Sequence, residues 1–176
     1  MTSETGVTPR IRRLISDYEA MRRLVGASSL VRMTMFGQPP HRYRVTYHCK
    51  GIARDPHTGR LGINERHVAD IYLHVDYPRV APNMVWRTAI FHPNIKCVDG
   101  AGTVCVPTWN PTFSLAEYVH LVGRMVQYQV FDSVYALDPE AAEWAVAHPK
   151  LLPVDDRPII SAAVAAELGF HVEAAP

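Results

Sequence analysis

The sequence predicts an α+β domain: an N-terminal helix, a four-stranded antiparallel meander, a long loop without period and then C-terminal helices. Three observations carry this. Apolar residues recur at helical spacing in the first thirty positions, four short strand-like segments follow with turn residues between them, and helical spacing returns after Ser114. A chain of 176 residues with 48% hydrophobic and 20% charged residues fits one well-buried globular domain.

Residues 1–7 are mostly polar and are expected to be disordered. Thr8-Pro9 reads as an N-cap with proline in the first turn. Ile11, Leu14, Ile15, Tyr18, Met21 and Val25 form an apolar stripe, and Gly26 is placed to stop the helix. The other face carries Arg10, Arg12, Arg13, Arg22 and Arg23, which reads either as a solvated face or as a docking surface for an acidic partner.

Strand patterns run from Leu30 to Phe36, Tyr43 to Ile52, Val68 to Val75 and Asn83 to Thr88. The third is the cleanest, with Ala69, Ile71, Leu73 and Val75 alternating against Val68, Asp70, Tyr72 and His74. Turn residues at 37–40, 55–59 and 77–78 separate them, and such short spacings favour antiparallel neighbours. Phe91 to Pro111 shows neither period, and ordered loops of that length are usually functional. Ser114 with Glu117 three residues on has capping-box spacing and opens a helix. Asp138-Pro139-Glu140 opens another, which Pro149 and Pro153 end, and a last helical piece is expected from about Ile159 to Leu168. The expected division is a domain at 8–150 and a partly helical C-terminal extension at 151–176.

A net charge of +1 gives no electrostatic case for nucleic acid or a membrane surface. No apolar run approaches the ~18 residues of a membrane span. The first residues lack a basic segment followed by an apolar one, and Cys49, Cys97 and Cys105 do not make an even disulfide framework. The expected location is therefore the cytoplasm. Arginine dominates the basic residues, the only lysines being Lys50, Lys96 and Lys150. That skew reads as codon bias in a GC-rich genome, or as an advantage to an enzyme that passes acyl groups to amines.

The most informative stretch is His92-Pro93-Asn94-Ile95, with Cys105 eleven residues after Asn94. It offers a thiol nucleophile and a side-chain amide able to donate to a reacting oxygen, the two parts that acyl transfer through a thioester needs. The plainer readings are a small buried hydrophobe for Cys105 and an Asx-turn residue for Asn94. His92 reads as a structural hydrogen-bonding residue in preference to a general base. Cys97 invites a redox pair with Cys105 or a metal site with His92. Seven residues between the cysteines is poor zinc spacing, and a disulfide would block the proposed nucleophile, so neither metal nor cofactor is expected.

Tyr77-Pro78, Ala81-Pro82, Trp86, Thr88, Ile90, His92-Pro93-Asn94-Ile95, Gly102-x-Val104-Cys105, Trp109-x-Pro111, Ser114-Leu115 and Glu140-Ala141-Ala142 occur in the order found in ubiquitin-conjugating (E2) enzymes. Over about residues 8–148 the chain resembles that family. The resemblance implies a UBC-like fold and a transferase in which Cys105 carries a ubiquitin-like protein as a thioester. Asn94 then supports the oxyanion or braces the loop; His92, Pro93 and Trp109 shape the active-site loop. Arg10, Arg12 and Arg13 fall on the helix that faces an E1-like activating enzyme in this family. Implied partners are that enzyme, the ubiquitin-like modifier and a protein target.

Two departures stand out. Only three residues separate Cys105 from Trp109, fewer than is typical, and Val134-Tyr135-Ala136-Leu137 occupies the region that often carries an acidic or serine gate. With the arginine-rich composition they point to a bacterial relative, of a kind associated with ubiquitin-like systems that include phage defence. The alternative is a catalytically silent E2-variant that binds a ubiquitin-like protein or scaffolds a complex. A cysteine hydrolase is a weaker option, since it needs His120 as base from mid-helix.

Overall fold

The computed structural model describes residues 7–106 and 109–170. All but the last residue of the expected N-terminal disorder, and positions 171–176 of the expected extension, lie outside the described residues. In chain order the elements are α1 (Pro9–Ala27), β1 (Val31–Phe36), β2 (Arg42–Tyr47), β3 (Gly51–Arg54), β4 (Leu61–Asn64), β5 (His67–Tyr72), β6 (Asn83–Trp86), β7 (Ile95–Val98), β8 (Ala101–Val104), α2 (Leu115–Val126), α3 (Pro139–Ala147) and α4 (Ala162–Glu167), with a 3-10 turn at Pro149–Leu151 between the last two.

The caps read from the sequence form. Thr8 Oγ1 accepts from Ile11 N at 3.3 Å, Ser114 Oγ from Glu117 N at 3.1 Å, and Asp138 Oδ1 from Ala141 N at 3.2 Å. Each supplies an acceptor to a helix N-terminal N–H that has no partner within its own helix. Helix α1 runs one residue past Gly26.

The four expected strands correspond to β1, β2, β5 and β6, neighbours in a single antiparallel sheet of order β1-β2-β5-β6-β8-β7. Two expectations need correction. The run Tyr43–Ile52 is not one strand: β2 ends at Tyr47, and β3 leaves to pair with β4 in a separate hairpin. The break has a physical cause. The His48 N–H still bonds Leu30 O at 2.7 Å, in register with β1, but the Lys50 N–H turns to Asp155 Oδ2 at 2.8 Å, so the next donor that would continue the strand is taken elsewhere. The stretch Phe91–Pro111 is also not wholly irregular. It contains the β7–β8 hairpin, in which β8 pairs with β6 and extends the sheet to six strands.

The core lies between the sheet's inner face and the helices. Ala69, Ile71 and Leu73 are buried, as the alternation predicted, whereas Val75 is exposed beyond the end of β5. Tyr47 and Trp86 stack at 6.1 Å in the middle of this layer, with Leu14, Met21 and Leu24 from α1 and Leu115, Val119, Val122 and Val126 from α2 in the same cluster. The described part of the expected extension is built into that cluster through Ile159, Ile160, Ala165 and Phe170. Gly123 in α2 makes room for it, since a Cβ there would lie 2.8 Å from Ile159 Cδ1. A smaller cluster of Ile52, Phe91, Tyr128, Ala141 and Ala145 seats α3 beneath the loop that carries His92.

Candidate active site

The His92–Ile95 corner is buried throughout. The His92 ring accepts the Asn94 N–H on Nδ1 at 3.0 Å and packs edge-on to Tyr128 at 4.7 Å. Burial pushes its titration down to about 3, against a small opposing contribution from the Met125 backbone. The imidazole is therefore neutral at pH 7 and shielded from solvent, as a structural residue would be. Pro93 O accepts from Leu137 N at 2.7 Å and Asp138 N at 3.1 Å.

Asn94 binds the segment 132–135 with both ends of its amide. Its Oδ1 accepts from Asp132 N at 2.8 Å, and its Nδ2 donates to Asp132 O at 2.9 Å and Tyr135 O at 3.4 Å. Asp132 in turn accepts the Val134 and Tyr135 N–H groups on Oδ1 at 2.7 and 3.0 Å. These bonds fix the loop before α3 against the corner and turn the side chains of Val134 and Tyr135 outward, at 79% and 78% exposure. Of the two roles open to Asn94 in the sequence, this geometry is that of a loop brace.

Cys105 follows β8 directly and is half-buried. Its N–H donates to Asn94 O at 2.8 Å, so the two sequence-flagged residues meet through the backbone. The β7–β8 hairpin makes this meeting possible. Its turn, Asp99-Gly100, has positive φ at both residues (51° and 74°), the conformation that a two-residue hairpin of right-handed twist needs. Gly102 lets β8 sit between its neighbours, because a Cβ there would collide with Lys96 O and lie 2.9 Å from Trp86 Cβ.

Cys97 lies in β7, half-buried, with Sγ 3.6 Å from Trp86 O, and burial raises its titration. All three cysteines are free thiols. Among the described residues no group of three or more His, Cys, Asp or Glu side chains is placed to hold a metal ion.

Trp109 serves the corner at Tyr77-Pro78. Its Nε1 donates to Pro78 O at 2.8 Å, and its ring lies between Tyr77 and Tyr118, 5.7 Å from each. Two of the flagged arginines turn into the fold. Arg10 donates to the carbonyls of Leu73, His74 and Tyr77 at 2.8, 2.6 and 3.2 Å. Arg13 binds Asp17 at 2.7 Å, the Tyr77 hydroxyl at 2.9 Å, and the carbonyls of Pro111 and Phe113. Asp17, unnoticed in the sequence, is the buried hub of that set and also accepts Leu115 N at 2.8 Å. Arg12, by contrast, is exposed, and its guanidinium bonds Val7 O at 2.8 Å. His120 packs against Phe170 at 5.3 Å, and burial lowers its titration to about 4.

An N-terminal helix, a main antiparallel sheet, a loop bearing a cysteine beside a His-Pro-Asn corner, and C-terminal helices define a UBC-type domain. Residues 63–150, half of the chain, match the family described as ubiquitin-conjugating enzyme. The chain belongs to that family. It is 33% identical over 60 residues to the ubiquitin conjugating enzyme E2 B of Dictyostelium discoideum, a match over 32% of this chain. The chain spans 39% of that relative's length. The fold is similar to the E2 domain of a Toxoplasma gondii ubiquitin conjugating enzyme, with a TM-score of 0.53 and 22% identity, covering 80% of this chain and 89% of the other.

Proposed function

We propose that Cys105 accepts a ubiquitin-like modifier as a thioester from an activating enzyme, and that the chain passes the modifier to an amine or hydroxyl of a target protein. The observation that carries this reading is the contrast at the site. A half-buried thiol sits at the end of β8, tied by its own N–H to Asn94 O at 2.8 Å, beside a loop held in place by the Asn94 side chain.

Entry of the modifier is a thioester exchange between similar thiols and needs little activation. Departure is harder, because an attacking nucleophile builds negative charge on the carbonyl oxygen. Asn94 contributes by holding Asp132–Tyr135 where an incoming acceptor must pass, and the exposed Val134 and Tyr135 give that approach an apolar border. ATP is consumed by the activating enzyme, so the cycle needs no cofactor on this chain. Docking of that enzyme on α1 falls to Arg12, with Arg22 and Arg23 exposed further along the same helix. The bacterial setting rests on the three lysines and the shortened interval after Cys105.

The experiment mixes the chain with the activating enzyme, the modifier and ATP, and separates the products with and without reductant. A reductant-sensitive adduct that disappears in Cys105→Ala and persists in Cys97→Ala is the expected result. An adduct retained in Cys105→Ala moves the chemistry to another residue. No adduct at all leaves the non-catalytic binding module as the reading.

A further inference from the structure

The chain holds three lysines, Lys50, Lys96 and Lys150, and all are exposed. Of these, Lys96 alone lies on the β7–β8 hairpin that leads into Cys105. The hairpin's register fixes the relation between the two residues. Lys96 pairs with Thr103 and Ile95 with Val104, and the next backbone bond runs from Cys105 N to Asn94 O at 2.8 Å. Cys105 therefore stands two residues beyond the partner of Lys96, as its diagonal neighbour across the ladder.

Both side chains leave the same face of the hairpin. Successive side chains of a strand alternate between its faces, and directly opposed residues share one. Ile95 and Cys97, on either side of Lys96, pack into the main core cluster, and so do Val104 and Val106, on either side of Cys105. Lys96 and Cys105 are thus turned away from the core, onto the outer face that the exposed Thr103 also marks. Diagonal neighbours on one face of an antiparallel pair lie roughly 7–8 Å apart, within reach of a long side chain. Lysine carries its amine on a flexible four-carbon stem, and a thioester carbonyl on Cys105 stands one bond beyond the sulfur. Among the described residues no ion pair holds the Lys96 ammonium elsewhere.

We infer that Lys96 is a built-in acceptor, taking in cis the acyl group that Cys105 carries. The inference rests on the proposed role of Cys105 as the thioester carrier. In this step the Lys96 nitrogen bonds to the thioester carbon, and the carbon–sulfur bond breaks with its electron pair on sulfur. The proton lost by the nitrogen passes through solvent to the sulfur. An amide on Lys96 and a free Cys105 thiol remain, with no oxidant or other co-reactant consumed. Holding the amine beside the carbonyl makes the step unimolecular. A charged chain that meets no target modifies itself, and the modifier then stands beside the thiol that delivered it.

The test needs no activating enzyme. The full chain is given the acetylglycine thioester of mercaptoethanesulfonate, excess donor is removed, and the acyl group is located by mass before and after thiol treatment. The expected course is a thiol-sensitive group on Cys105 that moves to a thiol-resistant amide on Lys96, while Lys50 and Lys150 stay free. In Lys96→Arg the acyl group is expected to stay on Cys105 about ten times longer, a small part of what proximity can supply. Adding Val98→Lys to that variant places an amine further along the same face and is expected not to restore transfer. A Cys105 thioester of equal lifetime with and without Lys96 overturns the inference and leaves the thioester reading standing. So does transfer restored in full by Val98→Lys, or Lys96 acylated as fast in Cys105→Ala. A Cys105 that takes up no acyl group overturns that reading and the inference together.

Discussion

The His92–Ile95 corner and the chain around Cys105 lie side by side yet are built in opposite ways. In the corner the Asn94 amide is fully engaged by backbone partners, and every residue is buried. Around Cys105 a backbone bond to Asn94 O ties the residue to the corner, and the residue is half-exposed. The difference separates frame from reagent. Asn94, which holds the geometry, is bonded and shielded, and Cys105, the reacting residue of the proposed function, is left half-exposed.

The contrast breaks most severely at Gly102. An alanine there drives its Cβ into the Lys96 carbonyl, a backbone atom that cannot swing aside. Gly102→Ala is expected to cost about 3–5 kcal/mol in chemical denaturation, in the range of severe packing defects. A cost near zero would mean that β8 does not sit between β6 and β7.

Acid attacks the frame next. Burial lowers His92 to about 3 and His67 to about 4, from an ordinary 6.5. Both are neutral in the fold, while the unfolded chain takes up protons below 6.5, so stability is complete above that pH and is lost as pH falls toward the folded values. Urea midpoints are expected to decline from pH 6.5 to 5 by the equivalent of about 2–4 kcal/mol. A flat profile over that range would mean that the two imidazoles are not shielded.

Asn94 and Cys105 give the sharpest paired comparison. Asn94→Ala leaves the Asp132 N–H and the carbonyls it bound without partners, and is expected to lower stability by about 2–3 kcal/mol. Cys105→Ala removes a half-buried thiol and is expected to cost less than about 1 kcal/mol. Equal costs would erase the distinction between frame and reagent. Smallest of all is Tyr135→Ala. Its side chain is 78% exposed, and its backbone does the bonding to Asn94, so its effect on stability should stay within about 0.5 kcal/mol. A larger loss would mean that the Tyr135 ring, and not only its carbonyl, holds the loop.

Much of this was legible in the residues, and the exceptions have physical causes. Thr8, Ser114 and Asp138 announced three helix starts, because capping is a local interaction written within four residues. Alternation identified β5, since one face meets the core. The end of β2 was invisible, because Asp155, which takes the Lys50 N–H, lies more than a hundred residues away. The β7–β8 hairpin left one readable sign, Asp99-Gly100, hidden inside a stretch without period. At the site, His-Pro-Asn and Cys105 could be paired by spacing. The partner of the Asn94 amide could not, since it depends on which distant loop folds over it.

The most direct measurement is the position of the modifier itself. After charging, the chain is digested under mild acid without reductant, and the peptide bearing the modifier's C-terminal residue is sequenced by mass spectrometry. The account predicts a thioester on Cys105 and on no other residue. A modifier found on Cys97 or on Cys49 would contradict it.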